Sequence, residues 1–119
     1  MGLDQYAYVL REDGETLEIA RWRKHPDLHG WMEKLWVKKD RPIPEGWEPT
    51  DIFNCVPLEL DEGDIEALSS DLENNALPHT EGFFFGQTQP EELSTDELFV
   101  QRARGNFGLG NRVFYDSWW

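Results

Sequence analysis

The sequence predicts an α+β domain, a mainly antiparallel sheet with about three helices packed on one face. Three observations predict it. Aromatic and β-branched runs near both ends of the chain, at 6–10, 16–22 and 112–119, read as strands. Apolar residues at helical spacing fill much of the middle. The resulting order, ββαβα(β)αβ, shows no internal repeat, and 119 residues suit a single domain, 1–119.

The elements follow in order. Tyr6 to Leu10 form a strand, and Asp13-Gly14 suits a tight turn, because Gly accepts positive φ. The return strand places Leu17, Ile19 and Arg21 on one side and Glu18, Ala20 and Trp22 on the other. Pro26 fits the first turn of a helix, where its missing N–H costs nothing. Leu28, Trp31, Met32, Leu35 and Trp36 then make one apolar stripe, expected to face the sheet. The proline-punctuated segment 40–50 reads as a loop pinned to the body by Trp47.

Residues 52–60 read as a strand weakened by Pro57, with Cys55 a small buried residue in it. Asp61 is a candidate N-cap, with Asp64 three residues on, and Ile65, Leu68, Leu72 and Ala76 continue a stripe. Residues 79–86 read as a short aromatic strand or packed loop. Ser94 and Glu97 have capping-box spacing for a third helix that runs to about Arg104, ended by a glycine-rich loop over 105–111. The last residues close the chain as a strand.

Charge is unevenly spread. The chain carries −13 overall, yet residues 21–41 hold seven Lys and Arg against three Asp and Glu, a basic and aromatic island. Residues 42–101 hold fifteen Asp and Glu and no Lys or Arg. So acidic a chain lacks the positive footprint of a nucleic-acid binder. The acidity serves solubility or docking on a basic partner. The island should lie beside acidic residues of 59–73. One cysteine makes no intrachain disulfide and suits a reducing cytosol. No signal peptide and no run of ~20 apolar residues is seen, which predicts a cytoplasmic protein without a membrane span.

The stretches Gly2-Leu3-Asp4-Gln5-Tyr6, Arg23 to Met32, Phe53-Asn54-Cys55, Gly82 to Gly86 and Tyr115 to Trp119 resemble a family of short acidic proteins of tailed-phage genomes and some bacteria. The resemblance spans nearly the whole chain and implies no catalytic residues. Some similar sequences bear a phosphoglycerate kinase label. This chain is far shorter than that two-domain enzyme and has no glycine-rich phosphate loop followed by Lys.

The candidate binding residues are His25, His29, Trp31, His79, Phe84, Tyr115, Trp118 and Trp119. His25, His29 and Glu33 are spaced four apart, but Pro26 pushes His25 out of helical geometry, so no metal or other cofactor is expected. Cys55 with a histidine could act as a nucleophile, though no hydrolase elbow, phosphate loop or dinucleotide fingerprint accompanies it. Phe84 and the terminal Trp pair either complete the core or make a contact surface. The leading expectation is a non-enzymatic, phage-type accessory protein that binds a host or phage protein through an acidic, aromatic surface. The alternatives are a small-ligand protein or enzyme with an aromatic and His-lined pocket, and a virion or assembly component.

Overall fold

A computed structural model of the protein describes residues 3–50, 52–74, 76–77 and 92–119. Its elements are β1 (Asp4–Leu10), β2 (Thr16–Arg23), α1 (Pro26–Lys38), β3 (Leu58–Leu60), α2 (Glu62–Glu73), α3 (Glu92–Gly108) and β4 (Arg112–Trp118). The strands form one antiparallel sheet in the order β2-β1-β4-β3, and the helices pack against it, an α+β fold. The expectations placed on 78–91, His79 and Phe84 among them, lie outside the described residues.

The hairpin closes as its turn residues dictate. Gly14 has φ +87°, and the Arg11 N–H donates to the Glu15 carbonyl at 2.8 Å. Further along, the register slips. Ala7 pairs with Ala20 but Tyr8 with Glu18, so Ile19 is a bulged residue. Strict alternation therefore fails in β2. Ile19 and Ala20 are both buried, and Leu17 is exposed. The Arg102 guanidinium donates to the Ile19 carbonyl at 2.7 Å. Bulge and arginine together blunt this edge strand against pairing with another chain.

In β1, Gln5, Ala7 and Val9 point into the core, whereas Tyr6, Tyr8 and Leu10 are half-buried on the opposite face. In β4, Val113, Tyr115 and Ser117 point inward. The core gathers these with Leu28, Met32 and Trp36 of α1, Ile65 and Leu68 of α2, and Phe99, Val100 and Ala103 of α3. The three helices thus share one face.

Several expectations need correction. The expected stripe of α1 packs on the core, Leu28, Met32 and Trp36 fully and Trp31 and Leu35 partly, but the polar His29 is fully buried beside it, which the stripe did not include. Trp31, half-buried against the core, also reaches α2, where its indole N–H donates to Asp71 at 2.7 Å. The strand expected over 52–60 forms only at its end, because Pro57 has no N–H and Cys55 has φ +59°. Cys55 is exposed rather than buried, and Trp47 is 49% exposed rather than pinned. Ala76 lies beyond α2, which ends at Glu73.

Helix α3 begins before Ser94 and runs past Gly105, because Phe107 still packs on the core. It stops one turn later. The N–H groups of Gly110 and Asn111 donate to the carbonyls of Phe107 and Asn106, a Schellman motif with Gly110 at φ +80°. At the start of α2, Asp61 and Asp64 cap each other reciprocally, as their spacing predicts.

Candidate binding face

The sequence-selected residues separate into a buried polar centre and an exposed rim. The centre contains His25, His29 and Tyr115, all essentially inaccessible to solvent. His25 is the N-cap residue of α1, but its ring reaches away from the helix end: Nε2 lies 2.7 Å from Asp96 Oδ2. The other oxygen of Asp96 accepts the Trp22 indole N–H at 2.8 Å. Gln5 accepts the His25 N–H through Oε1, and its amide donates to the His25 carbonyl and to the Tyr115 hydroxyl at 2.9 Å. With that donor on its oxygen, Tyr115 directs its own proton to His29 Nδ1, also at 2.9 Å.

Burial sets the protonation states here. It pushes His29 down to about 4, so the ring is neutral near pH 7, and it pushes the Tyr115 hydroxyl far up. The rings of His29 and His25 face different partners, Tyr115 and Asp96, and Glu33 is exposed, so the spacing of four does not assemble a metal site from this trio. Among the described residues no group of three or more His, Cys, Asp and Glu is placed to hold a metal ion. None of the four surface hollows characterised, of about 220 to 570 Å³, is lined by His25, His29 or Tyr115. The centre is a polar core that fixes α1 and α3 on the sheet.

Trp119 is half-buried at the edge of this interior. Its indole meets His29 edge-on at 6.3 Å and donates to the Phe53 carbonyl at 3.0 Å. The Asn54 side chain holds both the N–H and the carbonyl of Trp119, at 3.0 and 2.9 Å. Trp118, one residue earlier, is 65% exposed. Strand alternation puts its side chain on the face that no described helix covers.

That uncovered face carries a ladder of π systems. Tyr6 stacks on Tyr8 at 6.3 Å, and Tyr8 on Phe114 at 5.3 Å with planes 12° apart. The guanidinium of Arg21 lies over Tyr6 at 6.0 Å and that of Arg112 over Phe114 at 5.2 Å. Each arginine is held by a carboxylate: Arg21 by Glu18 at 2.7 Å, Arg112 by both oxygens of Glu59. Beside the ladder, Asp116 is largely buried and accepts the Tyr6 hydroxyl at 3.3 Å. Burial raises Asp116, and burial with the Asp116 charge pushes Tyr6 up to about 12. Cys55 sits near these groups, and partial desolvation and then the Asp116 charge push its thiol up.

Sequence reading picked Tyr115, Trp118 and Trp119 but missed the ladder. The available signal was alternation: Tyr6, Tyr8, Phe114 and Trp118 occupy the positions complementary to the core residues of their strands. The described acidic residues spread from the 42–50 loop and β3 into α2 and α3, and several of them are engaged internally. Lys39 bonds Asp64, as the charge split predicted, and Arg104 bonds Glu66 with two contacts of 2.8 and 2.9 Å. The two features meet at Glu59, which holds Arg112 over Phe114 and lines the same hollow as Asp61.

Comparison with known proteins gives no family model, no curated protein and no solved structure that matches the chain. Among the described residues, no helix is long and apolar enough to cross a membrane.

Proposed function

We propose that this is a non-enzymatic accessory protein of phage type that acts in the cytoplasm by binding another protein, with the uncovered sheet face as the contact. One observation carries the reading: an aromatic ladder bracketed by two arginines, with exposed Trp118 on the same face. Aromatic and arginine side chains are enriched at protein contacts, and large exposed rings outside the core mark interaction sites. A phosphate backbone is a poor fit, because Arg21 and Arg112 are already neutralised by Glu18 and Glu59. The −13 charge favours a basic partner, by speeding encounter. A His-lined ligand pocket has less support, since His25 and His29 point into the core.

The test is capture from host lysate at low salt and at ~1 M, where screening shortens to ~3 Å. The reading expects a protein retained at low salt, released at high salt, and lost with Tyr8→Ser and Trp118→Ser. Retention that survives both substitutions removes the sheet face as the contact.

A further inference from the structure

We infer that the hollow at the β3 rim of the sheet face is the anchoring pocket for an apolar side chain presented by a lysine- or arginine-rich segment of the partner; this rests on the protein-binding reading above. The hollow measures about 460 Å³, and its apolar lining is Pro42, Ile43, Pro44, Pro57 and Phe114, with Lys39, Glu59, Asp61 and Arg112 completing it. Phe114 belongs to both the hollow and the ladder, so the two form one continuous surface.

The charges in its wall are already committed. Arg112 is bidentate to Glu59, and Lys39 donates to the Glu59 carbonyl and to Asp64. With its cations satisfied internally, the floor offers contact area rather than a charge for a polar ligand, which selects an apolar occupant. The wall is also preformed. Two prolines stiffen the 42–44 strap, the Trp36 indole donates to the Pro42 carbonyl at 3.0 Å, and the Trp47 N–H donates to Pro44 at 3.1 Å. A rigid pocket at the edge of a contact is where an anchor residue binds without an ordering cost.

The surroundings specify what carries the anchor. Asp61 lines the hollow and is exposed, Glu62 follows it at the start of α2, and Glu45 and Glu48 are exposed just after the strap in sequence. Exposed carboxylates next to the lining residues favour Lys or Arg flanking the inserted residue. A second copy of this chain is a poorer occupant, because each copy carries −13.

The probe is the peptide acetyl-Lys-Lys-Trp-Lys-Lys-amide, added to the full-length, ¹⁵N-labelled protein. Two controls replace its Trp by Ser or its four Lys by Glu. The expected result is saturable shifts of the amides of Ile43, Glu59, Asp61, Arg112 and Phe114, with both controls at least about tenfold weaker, equivalent to ~1.4 kcal/mol. Pro44→Trp should fill the hollow and abolish these shifts while the amides of β1 and β2 stay in place. The inference is overturned if the Ser peptide binds equally, if the shifts map to Trp118 or α2 instead, or if none occur at ~1 mM, the weak end of specific binding. Sedimentation that shows a dimer contacting through this hollow overturns it too. If Pro44→Trp leaves lysate capture intact while Trp118→Ser abolishes it, the pocket is wrong and the sheet-face reading stands.

Discussion

His29 Nδ1 lies 2.9 Å from the Tyr115 hydroxyl, and both residues are wholly buried. Accepting a proton from Tyr115 requires a neutral imidazole, and burial supplies it by lowering His29 to about 4. The unfolded chain, with an ordinary histidine near 6.5, binds more protons between these values. Stability is therefore full above pH ~6.5 and falls as the pH drops toward 4, by up to about 3 kcal/mol.

Chemical denaturation from pH 7.5 to 4 measures that slope, and His29→Gln should flatten it. Among the described residues, three carboxylates act at the acid end: Glu66, held low by Arg104, acts with the same sign as Glu59, and Asp116 with the opposite sign. Glu59, held low by Arg112, loses its contribution as the pH falls, whereas Asp116, raised by burial, loses its contribution as the pH rises. An unchanged slope in His29→Gln would assign the acid sensitivity to other groups.

The two tryptophans of the α1 stripe should separate in a urea melt. Trp36 is 1% exposed and stacks on Phe53 at 5.1 Å, so Trp36→Ala should cost about 3–5 kcal/mol. Trp31 is half-buried, with one hydrogen bond to Asp71, so Trp31→Ala should cost roughly 1–2 kcal/mol. Equal losses would contradict the shallower burial of Trp31.

The burial of His29 beside that stripe shows what sequence could and could not convey. The hairpin turn, the reciprocal cap of α2 and the existence of α1 follow from local chemistry at Gly14, Asp61 and Pro26, and were legible. His29 and Asp96 were not legible as core residues, because periodicity assigns polar residues to the surface. Asp96 sat in what looked like a helix cap, yet its partners are Trp22 and His25, more than seventy residues earlier. The bulge at Ile19 was hidden for a similar reason: an extra residue becomes visible only against the paired strand. The ladder needed the cross-strand register that sets Tyr8 beside Phe114.

Asp96 tests the polar centre. Asp96→Ala removes the acceptor of the buried Trp22 N–H and the contact with His25, and should destabilise by about 2–5 kcal/mol. Asp96→Asn keeps an acceptor for Trp22 and should lose less. If Asn costs as much as Ala in the same melt, the carboxylate charge, rather than the hydrogen bond to Trp22, is what the site requires.

Helix α1 ends in a Schellman motif with an aspartate in the left-handed position. The Asp40 and Arg41 N–H groups donate to the carbonyls of Val37 and Trp36, and Asp40 has φ +67°. An acidic side chain at a helix C-terminus also opposes the dipole. Asp40→Gly removes both penalties and should raise stability by up to ~1 kcal/mol. A loss of stability would show that the added freedom of the unfolded chain outweighs the relieved strain.

The adjacent tryptophans at the end of β4 should differ in kind. Trp119 packs on His29 and donates to Phe53, so Trp119→Ala should cost roughly 1–3 kcal/mol even though Asn54 still holds the backbone. Trp118 is 65% exposed, so Trp118→Ala should change the unfolding free energy by under ~0.5 kcal/mol. The proposed contact assigns the opposite order to partner capture: Trp118→Ala weakens it, and Trp119→Ala leaves it intact at temperatures where the variant is folded. Denaturant melts and capture assays on the same two proteins read both orders. Should Trp118→Ala lower stability as much as Trp119→Ala, or leave capture unchanged, Trp118 is not part of a binding face.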